Sequence, residues 1–158
     1  MRHLKAGRKL SIYASHRNAM FSNMVTSLMQ HGRVRTTEAK AKEVRRIADK
    51  VITLAKRVPP SSLVGLEGEA LRQAQADRVH AIRLARRWIT DRDVLARVFS
   101  EYAARFEHRP GGYTRILKLG RRPGDQAAMN LLELVTEPWP PATTASAGDD
   151  TGGDQPAV

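Results

Sequence analysis

Residues 36–57 constrain the fold of this chain more than any other stretch. Val44, Ile47, Ala48, Val51, Leu54 and Ala55 fall within about 120° of a helical wheel, and Lys42, Arg45, Arg46, Lys50 and Arg57 take the opposite side. The spacing predicts one long helix with a packing face and a cationic face. Thr36 or Thr37 is placed to cap it, Glu38 suits its first turn, and Lys56 with Arg57 suits the dipole at its end. Such a helix persists only against a second layer, which the rest of the chain must supply.

The flanking segments do so. Ser15 is placed to cap a helix running to about His31, with Met20, Phe21, Met24, Val25 and Leu28 as its core face; Gly32 ends it, and Arg33 to Thr36 reads as a short strand. After residue 57, Pro59-Pro60-Ser61-Ser62 breaks the helix and Gly65 and Gly68 delay its return, so residues 58–76 read as a linker and helix start. A looser pattern of Leu71, Val79, Ile82, Ala85 and Ile89 carries the next helix, from near Glu69 to Ile89. Thr90 and Asp93 then resemble a shortened capping box, with Asp91 favouring the dipole, ahead of a helix faced by Val94, Leu95, Val98, Phe99, Tyr102 and Phe106. Arg109-Pro110-Gly111-Gly112 is turn chemistry, and the stretches YTRILKLG and NLLELV read as an antiparallel hairpin joined by R-R-P-G-D-Q. At 158 residues and 41% hydrophobic content this is one core, and 5% aromatic residues are too few for a large sandwich or a cofactor-filled barrel.

Charge is distributed unevenly over these elements. Residues 1–57 hold 14 Lys and Arg against 3 acids, residues 58–136 hold 13 against 9, and residues 137–158 hold four acids and no base, so the formal +11 is a +15 body with a −4 tail. A concentrated basic surface repels itself unless a polyanion offsets it, which makes nucleic acid the leading partner. Much of the charge lies on residues 1–14, where Arg2, His3, Lys5, Arg8 and Lys9 surround Gly7 without an apolar repeat. An extended arm is expected there, reaching roughly 45 Å at about 3.3 Å per residue. On the cationic helix face, the row Lys42, Arg46, Lys50 has no acid between its members, which suits phosphate contact. The tail opens on Glu137-Pro138-Trp139-Pro140-Pro141 and continues in Ala, Thr, Gly and Asp, a composition expected to stay disordered in solvent.

Catalysis finds no foothold. The chain has no Cys, so thiol chemistry, disulfides and Cys-held metals are excluded. Its five histidines, His3, His16, His31, His80 and His108, show no metal-binding spacing, and Asp91 and Asp93 do not share a helix face. Gly111-Gly112 is not a dinucleotide fingerprint, and no phosphate-loop or G-x-S-x-G motif occurs. We expect no catalytic residue, no metal, no cofactor and no small-molecule substrate. No apolar run approaches the roughly 18 residues that span a bilayer, and the basic first ten residues lack a signal's apolar stretch, so a soluble, non-exported, cytoplasmic protein without membrane contact is expected.

Three long stretches together resemble one known family. MRHLKAGRKL, then SHRNAMFSNMVTSLMQHGRVRTTEAKAKEVRRIADKVITLAKR, then RPGGYTRILKLGRRPGDQAAMNLLELV, in this order and spacing, are similar to bacterial large-subunit ribosomal protein number seventeen. The most telling pieces are Ser15-His16-Arg17, Thr36-Thr37 followed by Ala39-Lys40-Ala41-Lys42, Ile52-Thr53-Leu54-Ala55-Lys56, and Gly111-Gly112-Tyr113-Thr114-Arg115-Ile116. The resemblance covers nearly all of residues 1–136 and implies an α+β fold: a two-layer α/β domain with helices on a short mixed sheet, in α-β-α-α-α-β-β order, behind an extended basic arm. It implies a structural constituent of the large ribosomal subunit that binds rRNA near the peptide exit tunnel. Neighbouring ribosomal proteins, notably number thirty-two, are the implied protein partners.

The resemblance makes Arg2, His3, Lys5, Arg8 and Lys9 the rRNA-penetrating arm, and Ser15, His16 and Arg17 the helix start set against it. Asn18 joins them because a helix N-terminus is itself a phosphate site. Lys42, Arg45, Arg46 and Lys50 with the hairpin residues Arg121 and Arg122 complete the expected RNA contacts. The chain thus divides into an arm (1–14), a globular ribosomal-protein domain (15–136) with a longer linker or insertion (58–76), and a tail (137–158). The insertion and the tail depart from the family pattern; the first is expected to be an exposed loop, the second dispensable for assembly. The competing reading is a free DNA- or RNA-binding regulator using residues 42–57 as a groove helix, although few Asn or Gln side chains are placed there to read base edges.

Overall fold

The computed structural model describes residues 7–136. Helix α1 (Ala14–His31) leads through Gly32 into strand β1 (Arg33–Thr37), which passes directly into helix α2 (Glu38–Lys56). A 3-10 turn (Pro60–Leu63) precedes α3 (Gly68–Ala85); α4 (Arg92–Arg97) runs through a π-helical turn (Val98–Tyr102) into α5 (Ala103–Arg105), and β2 (Thr114–Arg121) and β3 (Ala128–Leu134) close the fold. The element order is the expected one, with α4, the π-helical turn and α5 following one another without a break.

The amphipathic pattern of α2 decides the architecture. Ala41, Val44, Ala48, Val51, Ile52 and Ala55 are buried, and α2 touches α1, α3, the π turn, β2 and β3. The sheet forms the second layer, in the order β1-β3-β2, and both pairings are antiparallel rather than mixed. Strands β1 and β2 do run parallel to each other, as a helical crossover favours, but the return strand of the hairpin inserts between them and opposes both. Val34, Leu132 and Ile116 align across the three strands, so the alternate positions Thr36, Asn130 and Lys118 share that helix-facing side.

Several local expectations are corrected. Ser15 does not cap α1: the N-cap is Tyr13, with no side-chain hydrogen bond, and Ser15 lies exposed in the first turn. Thr37 is the N-cap of α2 through its backbone alone, because β1 holds it extended without a hydroxyl bond to the helix. Asp91, not Thr90, caps α4, its Oδ1 accepting from the amides of Asp93 at 2.9 Å and Val94 at 3.2 Å. Helix α3 is already formed within the 58–76 stretch, and it ends at Ala85 rather than Ile89. It docks through Ala81 and Ala85 with Ile82 packed beside them, and Ile89 just past its end is buried, so of the expected stripe only Val79, 46% exposed, lies open to solvent.

Long-range polar bonds fix the layers. Tyr102, buried, donates its hydroxyl to the Met29 carbonyl at 2.8 Å, tying the π turn to α1. Arg78 donates to the carbonyls of Val58 at 2.8 Å and Phe99 at 3.1 Å, clamping the segment after α2 against the body. Lys56 donates to the Arg109 carbonyl at 2.6 Å, so this expected dipole partner also holds the turn before β2. Gly32 closes α1 with φ +75° and its amide on the Leu28 carbonyl, a left-handed geometry that a Cβ would strain.

Candidate nucleic-acid interface

The exposed side of α2 gathers cations from three parts of the chain. Arg2, His3 and Lys5 lie outside the described residues, as does the tail expected at 137–158. Residues 7–13 do not run out extended: Leu10 and Ser11 take φ of 58° and 55°, the Ile12 amide reaches the Lys9 carbonyl, and Leu10 packs on the core. Leu10 anchors this stretch because its burial outweighs extension into water. That turn brings Arg8 to 3.8 Å from Glu43, while the same carboxylate lies 4.0 Å from Arg46. One acid on α2 therefore holds a cation from the chain start and one from the helix row. A cavity of about 810 Å³ opens beside this junction, lined in part by Arg8, Lys9, Arg17, Asn18 and Trp88. Arg17 donates to the Lys9 carbonyl at 3.4 Å, and Ser15, His16 and Asn18 are exposed on the first turns of α1.

The α2 row is less uniformly cationic than expected. It begins one turn earlier, at Glu38, whose Oε1 accepts from Lys42 Nζ at 2.5 Å. Lys42 first holds the Glu38 carboxyl below its ordinary range, by that hydrogen bond and then by its charge. Arg45 lies 3.8 Å from Asp49, so Lys50 alone of Lys42, Arg45, Arg46 and Lys50 has no acidic partner among the described residues. Burial, above all, pushes the Asp49 carboxyl up from its usual value, against the Thr114 hydroxyl that donates to it at 3.0 Å.

A cleft of about 560 Å³ separates this face of α2 from the sheet. Lys42, Arg45 and Arg46 line one wall, and Ile116, Lys118 and Asn130 line the other. Lys118 and Asn130 were not among the residues singled out in the sequence. The signal that could have found them is strand alternation: Thr114, Ile116 and Lys118 share a face, and Lys118 pairs in register with Asn130.

The hairpin contributes one open cation rather than two. Arg122 is forked onto Asp125, with Nε to Oδ1 at 3.0 Å and Nη2 on Oδ2, and this guanidinium first, then the Ala127 amide, holds the Asp125 carboxyl down at about 2. Arg121 is exposed and pairs in register with Ala128, which shares a shallow hollow with Arg8 and Thr37. Other arginines serve the fold: Arg97 and Arg105 flank Glu101 at 2.7 and 2.6 Å, both over the Tyr102 ring. No group of three or more metal-ligating side chains and no membrane-length apolar helix occurs among the described residues.

Comparison with known proteins bears on this surface. The sequence model of the family described as Ribosomal protein L17 matches residues 20–135. The chain is 46% identical over 141 residues to the large ribosomal subunit protein bL17 of Pelobacter propionicus, covering 89% of this chain and 96% of that protein. It is 51% identical over 138 residues to the bL17 of Myxococcus xanthus, covering 87% and 86%. With the bL17 of Geobacter sulfurreducens it shares 50% over 137 residues, 87% of this chain and 67% of the relative.

Proposed function

The chain belongs to the ribosomal protein L17 family, and from that premise we propose that the α2 surface is where this structural constituent of the large ribosomal subunit grips rRNA. Its family is structural rather than enzymatic, and as part of the large subunit it serves translation in the cytoplasm. The observation that carries the proposal is the convergence on α2: Arg8 from the chain start and Arg46 from the helix share Glu43, with Lys118 of the hairpin across the cleft. One Glu43 carboxylate offsets only part of the positive charge these segments bring together, and the surplus on one side of a small domain favours phosphate there.

In this reading Arg8, Lys9, Arg17, Arg46, Lys50 and Arg121 meet phosphates, and the family resemblance adds Arg2, His3 and Lys5 as further RNA contacts. Ser15, His16 and Asn18 border it at the start of α1, where backbone amides face outward. Lys42 and Arg45 contribute less than their number suggests, since Glu38 and Asp49 already neutralise them. Arg122 shapes the hairpin turn and adds little to the grip. Arginine outnumbers lysine 20 to 7, and its planar fork suits both phosphate and stacked bases in compact RNA. Residues 58–76 line neither of the clefts described above, and the acidic tail is dispensable for assembly.

The position near the exit tunnel and the contact with ribosomal protein number thirty-two belong to this proposal and are supported by the family resemblance. Cosedimentation tests the core of it. The protein should sediment stoichiometrically with large subunits after a moderate salt wash, and crosslinking within those subunits should join it to number thirty-two. A protein found mainly in the free soluble pool would instead be the nucleic-acid-binding regulator that the basic helix also suits.

A further inference from the structure

The cleft between α2 and the sheet holds a polar group that nothing in the domain uses. Asn130 is 4% exposed, at the middle of the central strand, between Thr36 and Lys118 in register and on the side facing α2. Its neighbours on that face of β3, Leu132 and Leu134, are apolar core. No side-chain hydrogen bond reaches the Asn130 amide among the described residues, yet the residue lines the cleft. The amide is not sealed from water: its polar atoms open into the cleft, where no other side chain of the described residues takes them up. The amide is therefore available to whatever enters.

The walls say what that is. Lys42, Arg46 and Lys118 are cationic, but Asp49 lies in the wall with its side chain only 28% exposed. A deep anion would meet that carboxylate, so phosphate belongs at the mouth and a neutral, flat, polar-edged group belongs inside. We propose that the cleft seats one unpaired nucleotide of the bound RNA, its base against Ile116 with its edge on the Asn130 amide, and its phosphates outside on Arg46 and Lys118. An amide offers a donor and an acceptor side by side, the complement of a donor–acceptor base edge. Sequence-specific RNA recognition works on splayed-out bases of this kind, and about 560 Å³ lies in the range of pockets that hold a small ligand. Asn130 is then a specificity-determining residue, distinct from the phosphate contacts. This inference rests on the rRNA reading above.

The test uses the full-length protein and a large-subunit rRNA transcript, with chemical probing of unpaired bases and binding measured across salt. Asn130→Leu should keep the melting temperature and the salt slope, weaken binding by about ten-fold, and leave one base reactive that the wild type protects. Lys118→Ala should keep that protection and lower the salt slope by about 0.7. Ile116→Ala, on the same sheet wall, supplies the same probing readout if Asn130→Leu fails to fold. If the wild type does not bind the transcript, the rRNA reading falls and the nucleotide with it. If the wild type binds and the cleft variants protect every base that it protects, the nucleotide inference alone is overturned.

Discussion

Lys50 and Glu38 lie on one helix row and should act in opposite directions on RNA binding. Lys50 is exposed without an acidic partner among the described residues, whereas Glu38 holds Lys42 at 2.5 Å and stays ionised because Lys42 keeps its carboxyl below the ordinary range. One phosphate contact on single-stranded RNA contributes about 0.7 to the slope of log affinity against log salt. Lys50→Ala should therefore weaken binding about five-fold at 0.1 M salt, about eight-fold at 0.05 M, and no more than about two-fold at 0.4 M. Glu38→Gln removes the competing anion and leaves Lys42 to phosphate, so it should tighten binding by up to about five-fold at 0.1 M and steepen the slope. Filter binding of the full-length variants to large-subunit rRNA, from 0.05 to 0.4 M salt, measures both. Glu38 also complements the dipole at the start of α2, so Glu38→Gln should melt slightly lower, and tighter binding could not be ascribed to a more stable fold. A Lys50→Ala deficit that does not shrink with salt, or a Glu38→Gln variant that binds more weakly, would refute the reasoning.

Three further outcomes follow from the interior and the hairpin. Tyr102→Phe deletes the hydroxyl bonded to the Met29 carbonyl at 2.8 Å and should cost about 1–2 kcal/mol, seen as a lower thermal midpoint with an unchanged helical signal. Burial raises the Asp49 carboxyl in the folded state, so the folded protein binds that proton more tightly and loses the associated stability as pH rises through the carboxylate range. Asp49→Asn should accordingly melt higher than wild type at pH 7, with the gain vanishing below the unfolded carboxyl's value; a gain that persists at low pH would contradict the assignment. Asp125 is the converse case: its depressed value of about 2 means that its contribution to the turn is full above about pH 4 and is lost as pH falls toward 2. An NMR titration placing the Asp125 midpoint near 4 would show that the Arg122 fork is not held in solution.

The elements were legible in the sequence where one residue type dominates a local choice. The α2 pattern, Gly32 as the stop of α1 and the hairpin around Pro123-Gly124 all appear as expected, because period and turn chemistry act within a few residues. Capping was less legible. Thr90, Asp91 and Asp93 all suit a helix start, and the Asp91 assignment depends on which backbone turns first. One position of α3 misled: Ile82, Ala85 and Ile89 pack as their period predicts, but Val79, which fits the same period, stays exposed while the small Ala81 approaches the body.

By itself, the sequence determined the element order, the basic body and the ribosomal family, since each follows from residues read in a line. Tertiary structure decided how the charges are spent. Glu38, Glu43, Asp49 and Asp125 look like scattered acids along the chain, yet each lies within 4.0 Å of a cation that seemed available for RNA. Whether β3 would lie between its partners was equally invisible, and that placement buries Asn130 beside Lys118 and opposite α2. The physical reason is the same in both cases. Electrostatic pairing and burial depend on distances of a few ångströms through space, and these are set only once the hydrophobic face of α2 has drawn the sheet and the chain start around it.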